Sequence, residues 1–142
     1  MFLRGRKVSA RRHRGAEIIE MGISLGVLLA LVFGGVEFGY YFFVKHAIQT
    51  AAREGDRTAV LKGSTNASVN TAVANAMNIA GLSGSGYTVT TFPGDITTAA
   101  SGSEITVTVS CKWGVVGQAF RPLALIGSNK AMTVSVVMLK EG

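Results

Sequence analysis

Residues 15–44 read GAEIIEMGISLGVLLALVFGGVEFGYYFFV, and where such a stretch can be housed decides what the rest of the chain can be. Residues 21–36 are 16 positions without a charge, Glu37 interrupts, and residues 38–44 add 7 more, so 24 positions carry one ionisable group. As a helix this is about 36 Å, enough for the roughly 30 Å core of a bilayer with some tilt. A soluble helix this apolar on every side would need a large core around it, which a chain of 142 residues does not supply. The stretch therefore reads as a single membrane span. It is longer than the roughly 7–15 apolar residues of a secretory signal peptide, and EFGYYFF follows in place of a small-residue cleavage site, so the anchor is expected to remain in the mature protein.

Charge places the span. The formal net charge of +6 would suggest nucleic acid if it were spread over the molecule, but Arg4, Arg6, Lys7, Arg11, Arg12 and Arg14 all precede residue 15, where there is no acid. From Ala16 onward 8 basic residues face 8 acidic ones. No basic patch is left on the body for a phosphate backbone, which argues against nucleic acid as a partner. A basic tail beside a span follows the positive-inside rule: residues 1–15 are expected in the cytoplasm and the residues after Lys45 outside it. The tail has no hydrophobic periodicity and is expected to lack structure before insertion.

The tail ends in RRHRG and continues as AEIIEM. Basic residues, a Gly, a small residue and a Glu five positions after the Gly, all at the mouth of an apolar helix, resemble a type IV prepilin leader. Downstream, VEFGYYFFVKHAIQTAAREGDRTAV resembles the TadE-like pseudopilins of tight-adherence (Tad/Flp) pilus systems, and the likeness covers about residues 11–60. Two departures are visible: Met21 stands where an aromatic residue is usual, and the span lacks the mid-helix proline of many members. The resemblance implies cutting by a prepilin-type peptidase between Gly15 and Ala16, with Glu20 as the acidic fifth residue of the mature chain. It matches Glu37, Phe38 and Gly39 to an EFG late in the span, and Ala51, Ala52, Arg53, Glu54 and Gly55 to an AAREG box beyond it. The partners it implies are the peptidase, other pilins or pseudopilins, and the inner-membrane assembly platform of a Tad system, besides the lipid bilayer itself.

The span also carries a pattern of its own. Gly22, Gly26, Ala30 and Gly34 recur every four residues, and Gly35 with Gly39 forms a second small-xxx-small pair. Such a ridge lets a second helix approach closely, a main source of association in lipid; glycine is also simply common in membrane helices. Glu37, three residues past Gly34, should face protein or water, since an acid near a bilayer centre costs about 2.5–3.5 kcal/mol. A partner helix is the expected cover. Glu20 lies at the membrane edge, and three partners stay open for it: the Ala16 amine of a neighbouring subunit, which the resemblance suggests, its own Ala16 amine one helical turn back, or headgroup water.

Beyond the membrane, Ile48, Ala51, Ala52, Gly55 and Ala59 fall at helical spacing with charges expected on the opposite side, so the span (16–45) should continue as an amphipathic extension (46–63) to about Leu61. Ser64 or Thr65 can cap a second helix over about 66–80, with Val69, Val73, Ala76 and Ala80 on its apolar face. GLSGSG at 81–86 reads as a linker. Residues 87–92 read as a strand, 93–95 as a turn and 96–103 as a polar loop or weak strand. Ile105, Val107, Val109, Cys111 and Trp113 alternate with polar residues, and residues 131–139 alternate likewise, so both read as half-buried strands joined by a loop or short helix around Arg121 and Pro122. The fold class is α+β: a single N-terminal transmembrane helix, then an extracytoplasmic domain (64–142) with a helix packed on a three- or four-stranded antiparallel sheet.

Catalytic chemistry has little support. His13 and His46 are the only histidines, so no histidine cluster can hold a metal; no cofactor motif or nucleophile motif stands out, and Cys111, the only cysteine, reads as a core residue of a strand. The chain is expected to be structural and not an enzyme. Two readings remain: a minor pilin or pseudopilin that is processed and helps assemble a tight-adherence pilus at the bacterial inner membrane, or an uncleaved single-span protein whose outer domain binds a protein partner or surface ligand.

Overall fold

The structure, a computed structural model, describes residues 10–116 and 121–141, with side chains from Gly15 onward. Arg4, Arg6 and Lys7 of the basic tail lie outside the described residues. Helix α1 (Ala10–Ala59) is one element of 50 residues, roughly 75 Å of helix. It does not begin at the Gly15–Ala16 bond: the last basic residues of the tail are already helical. An established helix propagates at little cost into Ala- and Arg-rich sequence, which overrides the lack of periodicity there.

The far end of α1 gives way to a turn, and Gly63, at φ +79, turns the chain in a region that residues with a Cβ rarely adopt. Helix α2 (Asn66–Ile79) starts at a capping box. The Ser68 amide donates to Thr65 Oγ1 at 3.3 Å, and the Thr65 amide donates to Ser68 Oγ at 3.0 Å, so two otherwise orphaned donors are satisfied. Strands β1 (Thr88–Phe92), β2 (Glu104–Lys112) and β3 (Ala131–Leu139) form one antiparallel sheet in the order β1-β2-β3. Of the two alternatives for residues 96–103 the loop is the one formed, opening on a 3-10 turn over Ile96–Thr98 with the Asp95 side chain accepting from the Thr97 amide. A short helix α3 (Trp113–Val116) follows β2 directly, so Trp113 leaves the strand it was expected to end. Residues 121–130 are an irregular loop leading into β3.

One face of the sheet is dry. Ile105, Val107 and Val109 of β2 are fully buried together with Val44, Ile48, Ala51, Ala52 and Ala59 of α1 and Val69, Val73 and Met77 of α2. The other face is wet and held by paired hydroxyls: Thr108 with Ser135 at 2.8 Å and Ser110 with Thr133 at 2.9 Å, both directly opposite each other in the β2–β3 register. Close approach of the helices depends on Gly55, where an added Cβ would stand 2.6 Å from Val73 Cγ2 and 3.3 Å from Val107 Cγ1. The amphipathic expectation for this part of α1 is met with one correction. Asp56, expected among the charges on the outer side, is fully buried, because residues 52, 56 and 59 share the face that Ala52 and Ala59 bury against the core.

Candidate functional site

Residues 15–33 of α1 stand clear of the domain. They are exposed throughout, including Gly15, Ala16, Glu17 and Glu20. Among the described residues one helix, Gly15–Ala59, is long and apolar enough to cross a membrane. Gly15, Gly22, Gly26, Gly35 and Gly39 each have open space where a Cβ would point, and Ala30 is exposed. Gly34 differs: it is buried, and a Cβ there would lie 3.5 Å from Leu125 Cδ1. One member of the small-residue ridge is thus covered by the chain's own loop.

Glu37 sits at that junction. It is fully buried, and its Oε1 accepts a 2.9 Å hydrogen bond from the Ile126 amide. The Ile126 carbonyl in turn accepts from Arg121 Nη2 at 3.1 Å. Both backbone groups of Ile126 are therefore held by side chains, one from α1 and one from its own loop. The cover that was expected from a partner helix comes from residues 121–126 of the same chain. Just above, Tyr40 and Tyr41 pack on the buried indole of Trp113 with ring centroids 5.9 Å and 5.3 Å away. The domain is thus seated on α1 from Gly34 upward, and Phe38 and Gly39 of the EFG remain exposed.

In the AAREG box, Ala51, Ala52 and Gly55 are buried and Arg53 and Glu54 are exposed. The small residues bring α1 against α2 and β2. Asp56 follows them into the core with neither carboxylate oxygen hydrogen-bonded, and burial pushes its pKa from 3.8 up to about 6.

Residues 15–57 match the model of the TadE-like protein family. The TadE-like resemblance is thereby shown over the free part of α1, the Glu37 junction and the AAREG box. Searches of curated proteins and of solved structures found no match. The matched segment coincides with the long exposed apolar stretch of α1, the one described helix long and apolar enough to cross a membrane.

Three contributors were not singled out from sequence. Asp56 had a signal, its position four residues after Ala52 and three before Ala59. The Ile126 amide had none, since it meets Glu37 across 89 positions of sequence. Asn66 had none either, as its partners are 28 and 30 positions away: its side chain accepts from the Ile96 amide at 3.1 Å and donates to the Gly94 carbonyl, tying the start of α2 to the turn after β1. Cys111 is buried, and burial pushes its thiol up to about 11, which keeps it an unreactive core residue.

Proposed function

We propose that this chain is a minor pilin or pseudopilin of a tight-adherence pilus. It is inserted through α1 with its basic tail in the cytoplasm and its α+β domain outside the bacterial inner membrane, cut between Gly15 and Ala16 by a prepilin-type peptidase, and joined to other pilins through the freed helix. The role is structural, not catalytic. The observation that carries this reading is the TadE-like match, which begins at Gly15 and covers the stretch of α1 left bare by its own domain. A bare apolar helix with an accessible glycine ridge has two uses in this setting, first as an anchor in lipid and then as a packing element against other subunits.

Within this reading Glu20 acts in assembly. Cleavage converts the neutral Gly15–Ala16 peptide bond into a charged amine on Ala16, and Glu20 of a neighbouring subunit pairs with it when packing expels water. The pair can form only after processing, so it selects mature subunits. The test is intact mass and pilus incorporation of protein from the native host. Substitution of Gly15 should leave residues 1–15 attached. Glu20→Ala and Glu20→Gln should be cut normally but enter pili or complexes poorly. If wild-type protein retains residues 1–15, the uncleaved binding protein replaces this reading; if processed Glu20→Ala is incorporated at the normal level, the intersubunit pair is wrong.

A further inference from the structure

The depth of Glu37 has a consequence for the loop bonded to it. A helix crosses the roughly 30 Å bilayer core in about 20 residues. Glu20 and Lys45 are the charged residues that bracket Glu37 along α1, both exposed, so a window that excludes them runs between residues 21–40 and residues 25–44. In every such window Glu37 lies inside the outer boundary, by about 4–10 Å. The 121–126 loop must lie at that depth too, because the Ile126 amide is bonded to Glu37 Oε1 at 2.9 Å and Leu125 covers Gly34.

The loop is chemically suited to that depth. Residues 122–127 read PLALIG, without a charge, and Leu123 and Leu125 are 39% and 57% exposed. They continue the apolar surface of α1, where Val36 and Phe38 are also open. Irregular backbone is excluded from lipid unless its polar groups are satisfied within the protein. At Ile126, the residue tied to the span, they are, the amide by Glu37 and the carbonyl by Arg121, and at the headgroup boundary the backbone groups of residues 122–125 remain within reach of interfacial water. The other end of the domain is far away: the Glu141 amide is bonded to the Val60 carbonyl, roughly 35 Å along α1 from Glu37.

We infer that the 121–126 loop is a second membrane contact, with Leu123 and Leu125 seated in the outer leaflet beside α1 and the loop shielding Glu37 from lipid. An apolar element buried about 5–10 Å at the headgroup–acyl boundary is the ordinary geometry of an interfacial anchor. The foot fixes the domain's tilt and height over the membrane, which a span alone leaves free. This inference rests on α1 spanning the bilayer.

The test is nitroxide labelling of single cysteines in full-length protein in phosphatidylethanolamine–phosphatidylglycerol vesicles, with Cys111→Ala to remove the buried native thiol. Labels at Leu123→Cys and Leu125→Cys are compared with Val27→Cys in the middle of the span and Ser101→Cys at the far end of the domain. Collision with oxygen reports lipid, and collision with a water-soluble nickel complex reports solvent. The expected result is an oxygen-to-nickel ratio at 123 and 125 shifted toward that of Val27 and well above that of Ser101. Nickel access at 123 and 125 equal to that at Ser101, with Val27 in lipid, would overturn the inference and leave the span intact. Low access to both reagents at 123 and 125 would mean that protein covers the loop, which also overturns it. Free nickel access at Val27 would remove the span and the inference together.

Discussion

Replacing Asp56 by Asn should stabilise the domain at neutral pH and flatten its pH dependence. Asp56 is fully buried with both carboxylate oxygens unpartnered, and its pKa is raised from 3.8 to about 6 by burial. The folded state therefore holds this proton more tightly than the unfolded chain does. Below pH about 3.8 the group is protonated in both states and carries no charge penalty; between about 3.8 and 6 the unfolded chain gives up this proton while the folded domain still holds it, so this group's contribution to stability falls across that window and is fully lost above about 6. The shift corresponds to about 3 kcal/mol at full strength, reduced to about 1–2 kcal/mol by relaxation of the folded domain around the charge. Asn keeps the shape and drops the charge. Thermal unfolding followed by the fluorescence of Trp113, the only tryptophan, in detergent from pH 4.5 to 8 should show the wild type losing about 5–10 °C in Tm relative to Asp56→Asn across the range. Parallel pH profiles for the two proteins would refute the reasoning.

Three further outcomes are expected, two from contacts in the domain and one from the charge of the tail. Gly55→Ala should destabilise the domain by about 1–3 kcal/mol, read by the same melts, because its Cβ would meet Val73 and Val107. Glu37→Ala should leave the Ile126 amide without its partner, costing about 1–3 kcal/mol and speeding proteolysis and amide exchange in residues 121–130 more than in β2. A reporter fused after Gly142 should be active only outside the cytoplasm, and activity inside would overturn the orientation.

Much of this molecule could be read locally. Residues 15–44 declare a span because a long charge-poor run has few other places to be. The period of two in residues 105–111 and 131–139 predicts β2 and β3, and Ser64 or Thr65 marks the start of α2, with Thr65 proving to be the cap. Each of these signals lies within a single element, where backbone geometry alone relates one residue to the next. The EFG and AAREG boxes were legible by resemblance instead, and the family match spans residues 15–57.

The tertiary structure decided the rest, because it concerns residues brought together from distant parts of the chain. No local pattern says that Glu37 meets the Ile126 amide, that Leu125 lies over Gly34, or that Trp113 turns off its strand to pack under Tyr40 and Tyr41. Asp56 is the intermediate case. Helical spacing put it on the buried face, but the general preference of carboxylates for water argued otherwise, and the packing of Gly55 and its small neighbours against α2 and β2 overrode that preference. What sequence alone determined here is therefore the kind of each element and its apolar face. Which charges those faces enclose, and how deep the domain sits on its anchor, depends on contacts whose free energy exists only once the chain has folded.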